Sequence, residues 1–580
     1  MNYTVKENVQ MLIYLLKENN IKKIIISPGT TNLMFVASIH NDPFFDLFSA
    51  PDERSASYMA CGLAAETGEI VVITCTGATA SRNYMPGLTE AYYRKLPIFV
   101  ITFILDSVLP GQLSPQVIDR SVNPNDVVKM GVEIPEIKKD ADRWKCNLML
   151  NMAILELTRG NPGPVHVNLR DDFSYDFSVD KIPDTRVIQR IEYNSPLPRL
   201  DTYKSIGVFI GSHNPMIQEL QKSIEKFCAV YCAVVLTDHT SNYYGKYKIT
   251  SALVAGQEQI DIDQISFDLL IDIGSVTGDY YSVVPREVWR IDPEGKVQDR
   301  FKTLSKVFAM EELLFFEKYV EKTNSNVCDE NSNTIYNKWK SMYNNINNKI
   351  PNLPFSNFWC AQKMSTMIPD NSVIHFGILN SLRAWNFFNI QGITSASSNV
   401  GGFGIDGGVS TIIGASLGHP ERLYFLCIGD LAFFYDMNSI GNRHVSPNLR
   451  ILIINNGCGT EFKHYSHPGN MFGKDTDRYI AAAGHYGNKS RTLLKHYAED
   501  LGFMYLKAEN KEEFLDNASI FTDGHNVEKP MLFEVFTSSD KENDALKQLR
   551  NIVKSTSVKQ LVKNTIGDQN VRKIMLMLKK

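Results

Sequence analysis

Two apolar runs near the C-terminal end of this chain stop at residues able to bind a metal and a phosphate: Gly429-Asp430 on the first and Asn455-Asn456-Gly457 on the second. A glycine before the aspartate allows close backbone approach, and the carboxyl ends of parallel strands are where such sheets bind ligands. Mg²⁺ takes oxygen ligands in an octahedron and shares them with phosphate. One carboxylate, one amide carbonyl and one backbone carbonyl would leave positions for diphosphate oxygens and water. Taken singly, each has a plainer explanation: Asp430 as a strand-end turn residue and Asn455-Asn456-Gly457 as a tight turn. Just downstream, Glu461, His464 and His467 could relay a proton, and each also reads as a solvated loop residue.

These residues need a frame that delivers strand ends to one edge. Val9, Leu12, Ile13 and Leu16 recur at helical spacing, an apolar run follows at 24–26, and Ser27-Pro28-Gly29 turns the chain. Runs at 70–75, 98–103 and 165–169 read as further strands, alternating with helical stretches, which predicts a parallel sheet covered on both faces. Asn194-Ser195-Pro196-Leu197-Pro198 reads as a linker. Beyond it lie strand runs at 205–210, 233–236, 269–273 and 287–291, then a polar boundary at 323–333. A third group has strands at 372–376, 423–428, 451–454 and 531–535, with a helix expected over 436–443. Residues 541–580 carry Lys, Leu and Val at helical spacing and read as a docked extension. The predicted fold is α/β: three doubly wound parallel-sheet domains at 1–190, 195–325 and 350–540, with a helical tail at 541–580.

At 580 residues the chain is too long for one core. A formal net charge of -4 removes the electrostatic reason to expect nucleic acid. The start lacks a secretion-signal pattern and the apolar runs are too short to span a membrane, so a cytoplasmic protein with no membrane partner is expected. The nine cysteines show no repeated Cys-x-x-Cys pairing and read as free thiols. Gly401-Gly402-Phe403-Gly404 lacks the spacing of a dinucleotide loop, which argues against a nicotinamide-dependent dehydrogenase.

The Asp430 and Asn456 pair, in its strand-helix-strand setting, resembles the signature of the thiamine diphosphate enzymes. The resemblance implies thiamine diphosphate and Mg²⁺ as cofactors. The metal would be held by Asp430, Asn456 and the backbone carbonyl of Cys458, with Gly429, Leu431 and Ala432 beside the diphosphate. It also implies a second half-site, in which Glu53 of Pro51-Asp52-Glu53-Arg54-Ser55 contacts the pyrimidine and activates the thiazolium ring, near Gly77 and Asn83. A surface residue next to Arg54 is the plainer reading of Glu53. Ser381 and Ile405 are further implied contacts, Ile405 as a wedge under the cofactor or simply as core packing. Family members share each active site between subunits, so a homodimer or homotetramer is implied, with 1–190 binding the pyrimidine and 350–540 the diphosphate. The middle domain carries no nucleotide motif, and no FAD is expected there.

Ser27-Pro28-Gly29, Asp52-Glu53-Arg54-Ser55-Ala56, Gly404-Ile405-Asp406-Gly407 and Tyr435-Asp436-Met437-Asn438 look most like one branch, the menaquinone-pathway 2-succinyl-5-enolpyruvyl-6-hydroxy-3-cyclohexene-1-carboxylate synthases. The likeness covers roughly 1–540. That branch surrounds two polyanionic substrates with arginines, whereas the matching positions here are Thr31, Ser107, Trp385 and Val400, with only Arg383 nearby. Losing several charge-assisted pairs would abolish that substrate pair. The expected reaction is therefore decarboxylation of a 2-oxo acid with transfer of the acyl anion to a carbonyl acceptor. Gln116 is expected on the substrate side and His464 as a proton relay. The alternatives are a simple 2-oxo acid decarboxylase, the menaquinone-pathway synthase itself, and a non-catalytic thiamine diphosphate-binding protein.

Overall fold

Alternate side chains along the N-terminal strands enter two different cores, as a parallel sheet covered on both faces requires. The computed structural model describes residues 2–104, 109–119, 123–170, 175–279, 281–322, 333–486, 489–525 and 528–554. Its first sheet comprises β1 (Lys23–Ile26), β2 (Asp46–Ser49), β3 (Val71–Thr76), β4 (Ile98–Ile104), β5 (Met130–Ile134) and β6 (Val165–Arg170). All pair in parallel, in the order β2-β1-β3-β4-β6-β5. Ile24, Ile26, Val72, Phe99 and Ile101 pack with Leu12 and Leu150 of the helices Glu7–Glu18 and Asp140–Glu156. Their neighbours Ile25, Val71, Ile73, Ile98 and Val100 pack instead with Ala56, Ala60 and Leu88 of the helices Glu53–Thr67 and Met85–Arg94.

The second sheet contains β7 (Gln189–Glu192), β8 (Ile206–Ile210), β9 (Val234–Thr237), β10 (Lys248–Thr250), β11 (Ser266–Ile273), β12 (Val284–Ile291) and β13 (Leu304–Ala309). Its strands form the parallel runs β10-β9-β8-β11 and β12-β13-β7. The third sheet has β14 (Val373–Phe376), β15 (Ser395–Ser398), β16 (Tyr424–Gly429), β17 (Leu449–Asn455), β18 (Met504–Ala508) and β19 (Met531–Phe536) in the order β15-β14-β16-β17-β19-β18. Counted from its own first strand, this is the strand order of the first sheet. The three-sheet α/β fold is the one the sequence predicts. Backbone contacts group the chain into two compact units, Met1–Leu197 with Val288–Glu311, and Pro198–Glu287 with Glu312–Lys580.

Three local expectations change. The helix predicted over 436–443 begins earlier, because the chain turns straight from β16 into the helix Asp430–Tyr435 and continues as a 3-10 turn at Met437–Gly441. Cys232 is disulfide-bonded rather than a free thiol, while seven other cysteines are free and buried. Of the predicted tail, the helix Ser539–Arg550 is present, and 555–580 lie outside the described residues. Among the described residues no helix is long and apolar enough to cross a membrane.

The Ser539–Arg550 helix is fixed at both ends. Near its start, the buried Glu542 carboxyl accepts from the Asn357 backbone N–H, 2.9 Å from each oxygen, and from the Thr537 hydroxyl at 2.7 Å. At its end, Gln257 donates Nε2 to the Leu549 carbonyl at 2.7 Å, and its Oε1 accepts from the Ile552 and Val553 N–H groups at 3.1 Å. Burial pushes the Glu542 carboxyl up from 4.5 to about 7. The unfolded chain ionises first as pH rises, so this group's contribution is full below its unfolded value and is lost towards about 7. Relative to the parent protein, Glu542→Gln should therefore gain stability between about pH 5 and about pH 8, by at most a few kcal/mol, in thermal melts. A pH-independent difference would contradict the protonated assignment.

Candidate active site

In each outer sheet the winding reverses beside the first strand, between β1 and β3 and between β14 and β16. Such a reversal opens a crevice at the strand carboxyl ends, and the residues picked out from the sequence lie at these two edges. At the first, a Cβ on Gly29 would come 2.1 Å from the Thr76 methyl, so glycine lets the loop after β1 pass close to the end of β3 with Thr76 as it stands. The Gly77 N–H donates to the Thr31 hydroxyl at 3.3 Å. Glu53 opens the helix Glu53–Thr67, whose N-cap Asp52 accepts from the Ser55 N–H at 2.9 Å. The half-buried Glu53 carboxylate accepts from Asn83 Nδ2 at 3.1 Å, so Glu53, Gly77 and Asn83 all belong to this edge.

At the second edge, Asp430 follows Gly429 at the end of β16 and is buried. Its Oδ2 accepts from the Gly457 N–H at 3.1 Å, and Gly457, at φ 77°, turns the chain out of β17. Burial drives the Asp430 carboxyl up to about 7, although backbone N–H groups of Leu431, Gly457 and Asn456 pull the other way. The half-buried Asn456 presents Oδ1 towards the Cys458 N–H at 3.4 Å. A cation beside Asp430 would favour its ionised form. Among the described residues no cluster of three or more His, Cys, Asp or Glu forms a metal cage. One carboxylate and one amide oxygen instead suit Mg²⁺ shared with phosphate. The backbone N–H groups of Leu431 and Ala432, in the first turn of the helix Asp430–Tyr435, have no intrahelical carbonyl to meet. The residues at this edge thus fit a metal-bound diphosphate.

Sequence reasoning missed the support for this loop. Glu534 on β19 is buried, accepts from Asn455 Nδ2 at 2.6 Å and from the Tyr505 hydroxyl at 2.7 Å, and so fixes the residue before Asn456. Its only signal was a lone charge inside the apolar run Met531–Phe536.

The loop after Asn456 and the helix Asn380–Trp385, which follows β14, wall a cavity of about 530 Å³. Arg383 Nη1 is 2.7 Å from Glu461 Oε1, with both side chains buried. The Asn380 amide, oriented to satisfy both its atoms, donates to Glu461 Oε2 at 2.7 Å and accepts from the Glu461 N–H at 2.9 Å. His464 also lines the cavity, and burial pushes its imidazole down to about 4, so it is neutral near pH 7. His467 Nδ1 accepts from the Gly469 N–H at 2.9 Å. Tyr281, Phe358, Phe387 and Leu546 supply an apolar wall, and Arg550, at the end of the last described helix, completes it. These five come from four segments far apart in the chain, Leu546 and Arg550 sharing one helix, and no local motif marks them. Leu379, just before Asn380, has φ 68°, a left-handed conformation unusual for a leucine.

Other expected residues sit less centrally. Ser381 is buried in the helix Asn380–Trp385. Ile405 is half-buried on the loop before the helix Gly408–Ser416. Gln116 is exposed on its loop, at φ 61°. Of the positions matched to substrate arginines, Trp385 and Val400 are buried and Thr31 receives Gly77, while Ser107 lies outside the described residues.

Residues 7–120 match the N-terminal TPP-binding domain of thiamine pyrophosphate (thiamine diphosphate) enzymes. The chain is 31% identical over 566 residues to the 2-succinyl-5-enolpyruvyl-6-hydroxy-3-cyclohexene-1-carboxylate synthase of Bacteroides thetaiotaomicron, covering 94% of this chain and 98% of that protein. It is 31% identical over 565 residues to the synthase of that name from Phocaeicola vulgatus, with the same coverage, and 26% identical to that of Flavobacterium psychrophilum, covering 92% and 96%.

Two variants test the two edges. Asp430→Ala should weaken Mg²⁺-dependent thiamine diphosphate binding by about 100-fold or more in calorimetry. Glu53→Gln should stay folded and bind the cofactor, while proton exchange at the thiazolium C2, followed by NMR, slows by about 100-fold or more. Unchanged exchange would remove Glu53 from the site.

Proposed function

The chain belongs to the thiamine diphosphate enzymes, in the branch of the 2-succinyl-5-enolpyruvyl-6-hydroxy-3-cyclohexene-1-carboxylate synthases, and on that premise we propose that it is a cytoplasmic, Mg²⁺-dependent carboligase acting on a different substrate pair. It decarboxylates a 2-oxo acid and joins the remaining acyl carbon to a carbonyl acceptor. The bond between C1 and C2 of the donor breaks, CO₂ leaves, C2 bonds to the acceptor carbonyl carbon, and the acceptor oxygen takes a proton. When bound, the cofactor supplies the electron sink for this exchange.

The observation that carries the reading is the charge state of the cavity. Arg383, the arginine nearest the positions matched to substrate-binding ones, is already neutralised by Glu461 at 2.7 Å. Trp385 and Val400 put apolar groups where two further arginines would stand. A pair of polyanions entering here would leave water for fewer charged partners than their carboxylates need, at a cost of several kcal/mol. A less charged pair fits the aromatic wall.

In this reading Asp430, Asn456 and the Cys458 carbonyl hold the metal, and Gly429, Leu431 and Ala432 meet the diphosphate. Residues 350–540 thus form the diphosphate-binding domain and 1–190 the pyrimidine-binding one. Glu53, with Gly77 and Asn83, serves the pyrimidine, and Ser381 and Ile405 line the cofactor. His464, neutral through burial, accepts a proton more readily than it gives one, and Gln116 contacts substrate from its exposed loop. The active sites are shared between two copies of the chain. That arrangement accounts for apolar side chains left bare near both edges: Tyr58 and Met59 beside Glu53, and Met471 (80% exposed) and Tyr479 (86%) beyond the Asn456 loop.

The test is incubation with thiamine diphosphate, Mg²⁺ and a panel of 2-oxo acids, following CO₂, then repetition of active donors with carbonyl acceptors. A donor lacking a second carboxylate is expected to release CO₂ and to give a carbon–carbon product, and 2-oxoglutarate with isochorismate to give none. Efficient product from that last pair would assign the synthase reaction instead. CO₂ release that no acceptor diverts into product would leave a simple decarboxylase.

A further inference from the structure

Resting on the carboligase reading, we propose that Arg550 reads a single carboxylate on the acceptor, and that this acceptor is a carbonyl compound with an apolar or aromatic body. Within the cavity lining, Arg383 and Glu461 cancel each other and His464 is neutral. Arg550 is left as the arginine without a carboxylate partner in the lining. Arg550 is ion-paired with Glu258 at 3.3 Å, outside the lining, and that carboxylate also accepts from the Tyr465 hydroxyl, so Glu258 divides its oxygens between two donors.

The guanidinium is held in place from behind. Nε donates to the Gly256 carbonyl at 3.1 Å and Nη1 to the Tyr465 hydroxyl at 3.0 Å. The Arg550 guanidinium carbon lies 5.1 Å from the Tyr281 ring centroid and 5.6 Å from that of Tyr465. Nη2 has no protein partner among the described residues. A planar donor whose Nε and Nη1 are held, and whose Nη2 keeps its hydrogens for a ligand, is arranged to meet a carboxylate at little further entropic cost.

The choice of acceptor over donor follows from the chemistry. An ion pair to the scissile carboxylate would stabilise the donor's ground state, and that charge is gone once CO₂ has left. A carboxylate that persists through the reaction is the one an arginine can usefully hold. A cavity of about 530 Å³ also exceeds what a small 2-oxo acid fills. Tyr281 and Phe387, 5.6 Å apart, and Phe358, 5.9 Å from Phe387, offer ring faces and edges to the acceptor body.

The experiment compares 4-formylbenzoate with benzaldehyde, which differ in one carboxylate. Parent holoenzyme and the variants Arg550→Gln and Arg550→Lys would be assayed for carbon–carbon product with the best donor. Binding of both aldehydes to the thiamine diphosphate- and Mg²⁺-loaded protein would be measured by calorimetry. The parent should prefer 4-formylbenzoate by about 10-fold or more in kcat/KM and in affinity. Arg550→Gln should bring both ratios close to one, and Arg550→Lys should restore part of each. Because each ratio is internal to one protein, a general loss of fold or activity leaves it readable. A parent protein without the preference, or a preference that survives Arg550→Gln, overturns the inference. If no donor releases CO₂, the carboligase reading fails, and the calorimetric ratio still decides whether Arg550 selects a carboxylate.

Discussion

A parallel sheet whose winding changes direction leaves a gap at the carboxyl ends of the two strands where the change occurs, because the chain departs from them to opposite faces. This chain makes that gap twice, with one strand order used in both outer sheets. Everything chemical follows from it. At one gap stand Gly29, Gly77 and the Glu53–Asn83 hydrogen bond; at the other stand Asp430 and the Asn456 loop. The cores on either face of the first sheet are filled by the alternation of Ile, Val and Phe, so the strand ends are fixed by packing that has no part in the chemistry.

The second gap shows how unlike forces are balanced. Burying Asp430 opposes its charge, and backbone N–H groups recover part of that loss. Glu534 adds a second buried carboxyl two strands away, sharing its oxygens between Asn455 and Tyr505. The Asn455-Asn456 turn is therefore stiffened by side-chain hydrogen bonds before any ligand arrives. Arg383, Glu461 and Asn380 form a third polar group, in which the two charged side chains are buried and Arg383 Nε also donates to the Gly278 carbonyl at 3.3 Å. Such a buried pair adds little net stability, since its mutual attraction is set against the desolvation of both charges.

The strands that could be read from the sequence are, almost without exception, the inner ones. Runs such as Ile98–Ile104 or Leu449–Asn455 are buried on both faces and therefore continuously apolar. The strands that went unseen include the six sheet edges: β2 (DLFS), β5 (MGVEI), β7 (QRIE), β10 (KIT), β15 (SASS) and β18 (MYLKA). Edge strands are short and polar, as protection against pairing with other chains requires, and that removes the pattern by which strands are recognised. The site divides in the same way. Asp430, Asn456 and Glu53 were legible because each sits in a compact string of residues. The cavity was not, because Tyr281, Phe358, Phe387 and the helix that carries Leu546 and Arg550 meet only through the fold.

The helix Ser539–Arg550 is held at its start by Glu542 and at its end by Gln257. It therefore behaves as a beam supported at both ends rather than a cantilever, and its last turn has little room to sway. The sharpness with which a pocket tells one molecule from another depends on how narrowly its groups are positioned, because averaging over many placements blurs small differences in fit. Gln257 lines no part of the cavity, yet it limits that averaging. Loosening it would widen the range of placements open to Leu546 and Arg550, so the shape of the cavity is partly a matter of stiffness, set by a side chain outside its lining.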